Sequence, residues 1–156
     1  MTSQYFCAYH VNKFVVSEIE AFRNWSQMMQ RGVKAYVECR VEAAEIYLGS
    51  SLDIALLRCS CTGNKIFSEE QLLKPAEFIL QIYLMTDAFH KAQQTLDRIS
   101  GCCQANHGLL GMVTEKFITE QFERFEKAEK DFFGVGDNRS GHMPSPPKTE
   151  QRSVVH

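Results

Sequence analysis

The sequence predicts an all-α protein made of long amphipathic helices in a coiled-coil-like or helical-bundle arrangement. Two long stretches place apolar residues at helical spacing, patterns typical of strands are nearly absent, and three of the four prolines fall within residues 134–156. Because Gly, Pro and Ser cluster in that last segment with few aliphatic residues, we expect it to be disordered. The predicted organisation is therefore a helical domain over residues 1–133 and a disordered tail over residues 134–156.

The first helical stretch carries one apolar stripe from Val15 to Cys59. Its apolar residues recur about every 3.7 positions, which is close to the helical period and keeps one face buried along the whole length. We therefore predict a single helix of roughly 40 residues, about 60 Å long, within residues 15–60. Gly49-Ser50-Ser51 is the one place where this helix could break, although the stripe continues through it in phase.

The second helical stretch follows a turn at Thr62-Gly63-Asn64. Ser68 and Gln71 have the spacing of a capping box, in which each side chain bonds to the backbone N–H of the other residue. Pro75 suits the first position of a new helix, which we expect over residues 76–130. Gly101 and Asn106-His107-Gly108 are places where this helix could break before its last stretch, residues 109–133. Its apolar residues alternate spacings of four and three, which is the heptad pattern of a coiled coil or bundle helix. This predicted seam, which joins helices of one bundle or of an oligomer, consists of Phe78, Ile82, Met85, Phe89, Ala92, Leu96, Ile99 and Cys103.

Four apolar residues lie off this seam, near the start of the second helix. The stretch AEFILQIYLM, residues 76–85, is apolar on nearly every side, which is more than one buried stripe requires. We predict that the off-seam residues form a binding surface, because large exposed apolar patches usually mark interaction sites. A third helix of the same chain or a second subunit would also cover this face. The residues are Ile79, Leu80, Tyr83 and Leu84.

A di-iron carboxylate bundle is the best enzymatic candidate, since such sites combine acidic residues with Glu-x-x-His motifs on neighbouring helices. Glu38, Glu42 and Glu45 share one helix face, and Asp87-x-x-His90 supplies half of one such pair of motifs. The second motif is missing, so a full ligand set cannot be assembled. We therefore expect neither a metal nor a cofactor.

The cysteines lack the spacing of a structural zinc site. Such sites use cysteine pairs separated by two to four residues, whereas this chain has Cys59-x-Cys61 and the adjacent Cys102-Cys103. Cys7 lies near His10 and imitates a thiolate–imidazole pair, but no third residue is in place to orient it. We expect reduced thiols and no enzymatic activity.

Charge and hydropathy exclude two further classes of function. The net charge of −2 argues against a nucleic-acid binder, which needs a basic face for phosphate contacts. No segment approaches the ~20 apolar residues of a transmembrane helix. The N-terminal residues also lack the basic start and apolar run of a signal peptide, so we expect a cytoplasmic location.

The segments WSQMMQRGVKAYVECRVEAAEIYLGSSLDIALLR and FSEEQLLKPAEFILQIYLMTDAFHKAQQTLDRIS carry a recognisable arrangement. A long amphipathic helix precedes a short Ser/acidic linker with a leucine pair, and a second long helix with a heptad seam follows. Over residues 14–130 this arrangement resembles phasins, the bacterial proteins that coat polyhydroxyalkanoate storage granules. The resemblance implies a non-enzymatic coat protein that attaches to the granule surface through an amphipathic apolar helix face.

Two other functions are open beside the granule coat. One is an oligomeric helical adaptor or chaperone whose apolar face binds a protein partner or a second copy. The other, less favoured, is a metal-binding four-helix-bundle enzyme. Because regular heptads usually meet a partner helix, we expect a homo-oligomer.

Overall fold

The computed structural model describes residues 5–105 and 111–137, and within these ranges the chain forms α-helices and no β-strand. The predicted all-α class is therefore confirmed. The helices are α1 (Ala8–Val16), α2 (Glu18–Val37), α3 (Val41–Cys59), α4 (Glu69–Met85), α5 (Phe89–Ala105) and α6 (Met112–Asp137).

Successive helices from α2 onward run in opposite directions, which makes an up-and-down bundle. Helices α2 and α4 are parallel, because Trp25 near the start of α2 donates its indole N–H to the Gln71 carbonyl at 3.0 Å, while Tyr36 near the end of α2 packs on Phe78. Glu69 at the start of α4 accepts a hydrogen bond from the Gly111 backbone N–H just before α6, and Arg124 further along α6 donates to Gln81 further along α4, so α6 is parallel to α4. Helices α2, α4 and α6 therefore all end at the same end of the bundle.

Helix α3 lies at the centre of the bundle. It packs against α1, α2, α4 and α5, and every residue from Leu48 to Cys59 is buried. A helix that is enclosed on all sides shows no single apolar stripe. The polar residues Ser51, Asp53 and Arg58 are enclosed with it.

The predicted single helix over residues 15–60 is wrong, because the chain turns back at residues 38–40. Cys39 has a φ of 57°, in the left-handed region, and this residue ends α2 so that α3 returns along it. The two helices approach closely at Gly32, where a Cβ would lie only 2.6 Å from Leu48 Cγ. Gly49-Ser50-Ser51 lies inside α3 and causes no break.

The predicted capping box at Ser68 and Gln71 is confirmed, but the helix it opens does not stop at Pro75. Helix α4 runs through Pro75 to Met85, so the prediction that Pro75 begins a new helix is wrong. Proline lacks the N–H that would bond to the carbonyl four residues earlier, which here belongs to Gln71. The Trp25 indole N–H occupies that carbonyl instead, and this contact makes the proline acceptable inside the helix.

The predicted helix over residues 76–130 is divided by a turn that the sequence did not indicate. Helix α4 ends before Thr86, Asp87 takes a left-handed φ of 53°, and α5 begins at Phe89. A second separation, between α5 and α6, spans the place where a break was expected, and residues 106–110 there lie outside the described part of the chain. The heptad spacing persisted across the first turn, so the spacing alone gave no sign of it.

The predicted tail, residues 134–156, starts within the last turn of α6. That helix runs to Asp137, so residues 134–137 are helical. The remainder of the predicted tail, residues 138–156, lies outside the described residues.

Candidate functional site

The predicted binding surface lies inside the bundle. Ile79, Leu80 and Tyr83 are buried and Leu84 is half-buried, so the prediction of an exposed apolar face is wrong for the first three. Helix α4 packs against α3, α5 and α6, and a helix with three neighbours needs apolar residues on more than one stripe. Helices of the same chain therefore account for the excess apolar character of AEFILQIYLM.

The predicted seam is divided between two helices and serves the interior of one chain. Ile82 of α4 and both Leu96 and Ile99 of α5 are buried in the core. Phe78 and Phe89 are half-buried. The Phe78 ring contacts Tyr36, and the Phe89 ring contacts Phe132. Met85 is the exception, with 55% of its surface exposed at the end of α4.

A network of polar side chains joins α3, α4 and α5. Glu45 accepts a hydrogen bond from the Tyr83 hydroxyl at 3.2 Å and forms an ion pair with Lys91 at 2.7 Å through the same oxygen. Burial, followed by the charge of Glu45, raises the pKa of Tyr83 above its ordinary value. Tyr83 therefore stays protonated at neutral pH and acts as a hydrogen-bond donor.

The same network contains a fully buried carboxylate. Asp53 forms an ion pair with Arg98 and accepts a hydrogen bond from the Tyr5 backbone N–H at 3.2 Å. The Tyr5 ring packs so closely over Gly49 that a Cβ there would lie 2.5 Å from its hydroxyl oxygen. A cavity of about 440 Å³ opens beside this network, but its charged side chains already neutralise one another. The arrangement fastens the N-terminal segment and α5 to the central helix.

Two carboxylates of the predicted acidic helix face, Glu38 and Glu45, pair with cations. Glu38 pairs with Arg40, and Glu45 belongs to the network just described. His90 shares a hydrogen bond with Gln94 at 2.9 Å. Within residues 5–105 and 111–137, no group of three or more His, Cys, Asp or Glu side chains is arranged to hold a metal ion.

Cys7 and His10 do come together, as the sequence suggested. The Cys7 sulfur lies 3.1 Å from His10 Nδ1 on the exposed first turn of α1. The backbone N–H of His10 and then its imidazole lower the pKa of the Cys7 thiol to about 7. The imidazole in turn lies among the rings of Phe6, Tyr9 and Phe14. Cys7 is therefore a nucleophilic surface thiol.

The cysteines of α3 and α5 have the opposite character. Cys59 and Cys102 are both buried in the core. Hydrogen bonding to the Cys102 thiol, followed by burial, raises the pKa of Cys59 far above its ordinary value. Thiols in such surroundings are poor nucleophiles and behave as small apolar side chains.

One end of the bundle exposes several large apolar side chains. They lie at or near the C-terminal ends of α2, α4 and α6, which end on the same side, and their exposed fractions range from 52% to 73%. Sequence reasoning named some of these residues as parts of apolar stripes but did not group them, because the grouping depends on the turns. We call them the apolar end: Val37, Met85, Phe132 and Phe133.

No protein-family model, curated protein or solved structure matches this chain. Among the described residues, no helix combines the length and the apolar character needed to cross a membrane.

Proposed function

We propose that this chain is a non-enzymatic, cytoplasmic helical adaptor that self-associates through its apolar end. The observation that supports the proposal is the exposure of Val37, Met85, Phe132 and Phe133 at the ends of helices that end at the same end of the bundle. Exposed apolar groups of this kind are typical of surfaces that meet another protein. A second copy of the chain presents the same four side chains and is the first partner to consider.

The energetic argument favours burial of this end. Transfer of one large apolar side chain from water to an interface contributes about 1.5–3 kcal/mol, and several such residues offset part of the cost of association. Phe132 is already held against Phe89, so it is partly ordered before a partner arrives. Pre-ordering of this kind reduces the entropy that binding must overcome.

A granule coat related to phasins is a second proposal, and a different surface supports it. Tyr9, Val15 and Val16 of α1, with Ile19 at the start of α2, are exposed apolar residues near the N-terminal end of the described chain. We call them the α1 patch. A helix with one exposed apolar face lies along an apolar surface with that face buried in it. Attachment through Ile79, Leu80 and Tyr83 would instead require the bundle to open.

Sedimentation velocity over a wide range of protein concentration tests the adaptor. We expect the chain to associate, and we expect the combined variant Val37→Ser, Met85→Gln and Phe133→Gln to remain monomeric. The matched control is Val16→Gln with Ile19→Gln, which removes exposed apolar residues from the α1 patch and should leave association unchanged. A monomeric wild-type chain at every concentration, or equal association of both variants, would refute the adaptor.

The same two variants test the granule coat. Co-sedimentation with purified polyhydroxyalkanoate particles should be lost in the α1-patch variant and retained in the apolar-end variant if the chain is a coat protein. Wild-type protein that stays in solution would rule out this second proposal without affecting the first.

A further inference from the structure

A groove runs along the surface between α4 and α6. Its floor is made of apolar side chains from both helices: Leu73 and Phe117 are half-buried, and Val113 is 65% exposed. The groove has a volume of about 480 Å³. It arises because α6 directs its buried residues Ile118 and Phe125 into the bundle and leaves this flank of α4 open.

The walls of the groove are acidic. Four glutamates line it, against a single lysine, Lys74, so the lining carries a net charge of −3 (four negative and one positive group). Three of the glutamates, Glu69, Glu70 and Glu77, come from α4, and Glu120 comes from α6.

Glu69 accepts a hydrogen bond from the Gly111 backbone N–H, whereas two of the other carboxylates are paired with exposed lysines. Glu70 pairs with Lys74, and Glu120 pairs with Lys116 at 3.7 Å, each along its own helix. Both pairs are exposed, and exposed pairs of this type contribute only about 0.3–0.5 kcal/mol. A cationic partner can therefore replace either lysine at little cost.

We propose that this groove binds a basic amphipathic helix of a protein partner. The occupant follows from charge complementarity: an apolar floor with acidic walls accepts a helix whose apolar stripe is flanked by lysine or arginine. The inference rests on the adaptor function proposed above and names the class of protein that such an adaptor holds. Self-association uses the apolar end, whereas the partner helix uses the groove.

Binding of a model peptide tests the inference. The probe is a fluorescent helical peptide of leucine and lysine, with leucines on one face at helical spacing. Two matched control peptides are used. One has glutamate in place of lysine, and the other has the same composition with the leucines scattered around the helix. Fluorescence anisotropy should show that only the first peptide binds the full chain, with an affinity that falls as salt is added.

Charge reversal locates the site. The variant Glu77→Lys with Glu120→Lys should weaken binding at least about tenfold, because attraction becomes repulsion across the groove. The control variant Glu42→Lys with Glu123→Lys makes the same change in net charge at exposed positions that do not line the groove, and it should bind nearly as well as wild type. Val113→Gln, at an exposed floor position, should also weaken binding, and thermal melting checks that each variant is folded.

Several outcomes would overturn the groove assignment. They are no binding of the lysine peptide to the wild-type chain, equal binding of the glutamate peptide, and equal loss in both charge-reversal variants. If the groove variants abolish self-association in sedimentation, the groove is an interface between copies and the assignment is also wrong. Peptide binding by a chain that stays monomeric would refute self-association and leave the groove in place, so the two failures are distinguishable.

Discussion

Glu18 joins the start of α2 to the loop between α3 and α4. Its carboxylate accepts hydrogen bonds from the backbone N–H groups of Lys65, Ile66 and Phe67 at 2.8–3.1 Å. Burial raises the pKa of this carboxyl, but the three donors outweigh burial and the pKa lies below its ordinary value. Because the folded-state pKa is lowered, the stabilisation is complete above the ordinary carboxyl pKa and is lost as the pH falls through the lowered value.

Cys7 is the residue where a local contact changes chemical reactivity most directly. We predict that its alkylation rate by iodoacetamide rises with pH around a midpoint of about 7, because the thiolate is the reactive form. His10→Ala should raise this midpoint part of the way toward that of an ordinary thiol, since the imidazole is lost and the backbone N–H remains. Mass spectrometry of the modified peptides against pH measures both midpoints.

The exposed Cys39 thiol serves as an internal control for the Cys7 measurement, because its alkylation in the same samples shows that the reagent is active. An identical midpoint in the His10→Ala variant would show that the imidazole does not influence Cys7. Any effect on alkylation would then come from the backbone of α1 alone.

At the scale of helices, the sequence indicates where helices form better than where they turn. The capping box at Ser68 was predictable, because its partner lies three residues away. The turns at Cys39 and Asp87 were not, since neither residue is glycine although both adopt a left-handed backbone. The apolar spacing continues in phase across both turns. Each of the two helical hairpins therefore has the apolar pattern of one long helix. The contact of Trp25 with Gln71, which explains Pro75, depends on the first of these turns.

Helix α4 supplies a direct test of whether its off-seam face belongs to the core. We predict that Leu80→Gln lowers the free energy of unfolding by about 3 kcal/mol or more, because it removes a buried apolar side chain and introduces an amide without partners. Met85→Gln, five residues later and exposed, should change it by less than about 0.5 kcal/mol. Urea denaturation followed by circular dichroism gives both values. Equal midpoints for the two variants would mean that Leu80 is not packed as described.

At the scale of the whole molecule, the candidate surfaces come from the assembly of helices and not from any one of them. The apolar end combines Val37 of α2 with residues of α4 and α6, and the groove combines Leu73 of α4 with Phe117 of α6. A single sequence states the apolar residues of each helix but not which helix ends lie together. The segment AEFILQIYLM lies in α4, whereas the centre of the bundle is α3, which encloses the polar residues Ser51, Asp53 and Arg58.

The central position of α3 predicts a gradient of local stability across the bundle. Amides of residues 48–59 should exchange with deuterium only when the whole chain unfolds, because four other helices enclose them. Amides of α6 should exchange at least about tenfold faster, because this edge helix packs mainly on α4 and α5 and opens by local unfolding. Native-state hydrogen exchange at increasing denaturant measures both classes. The denaturant dependence of the exchange free energy for α3 should equal that of global unfolding, and the dependence for α6 should be smaller. Equal protection and equal slopes would show that the bundle opens as one unit, and the groove between α4 and α6 would then be as rigid as the core.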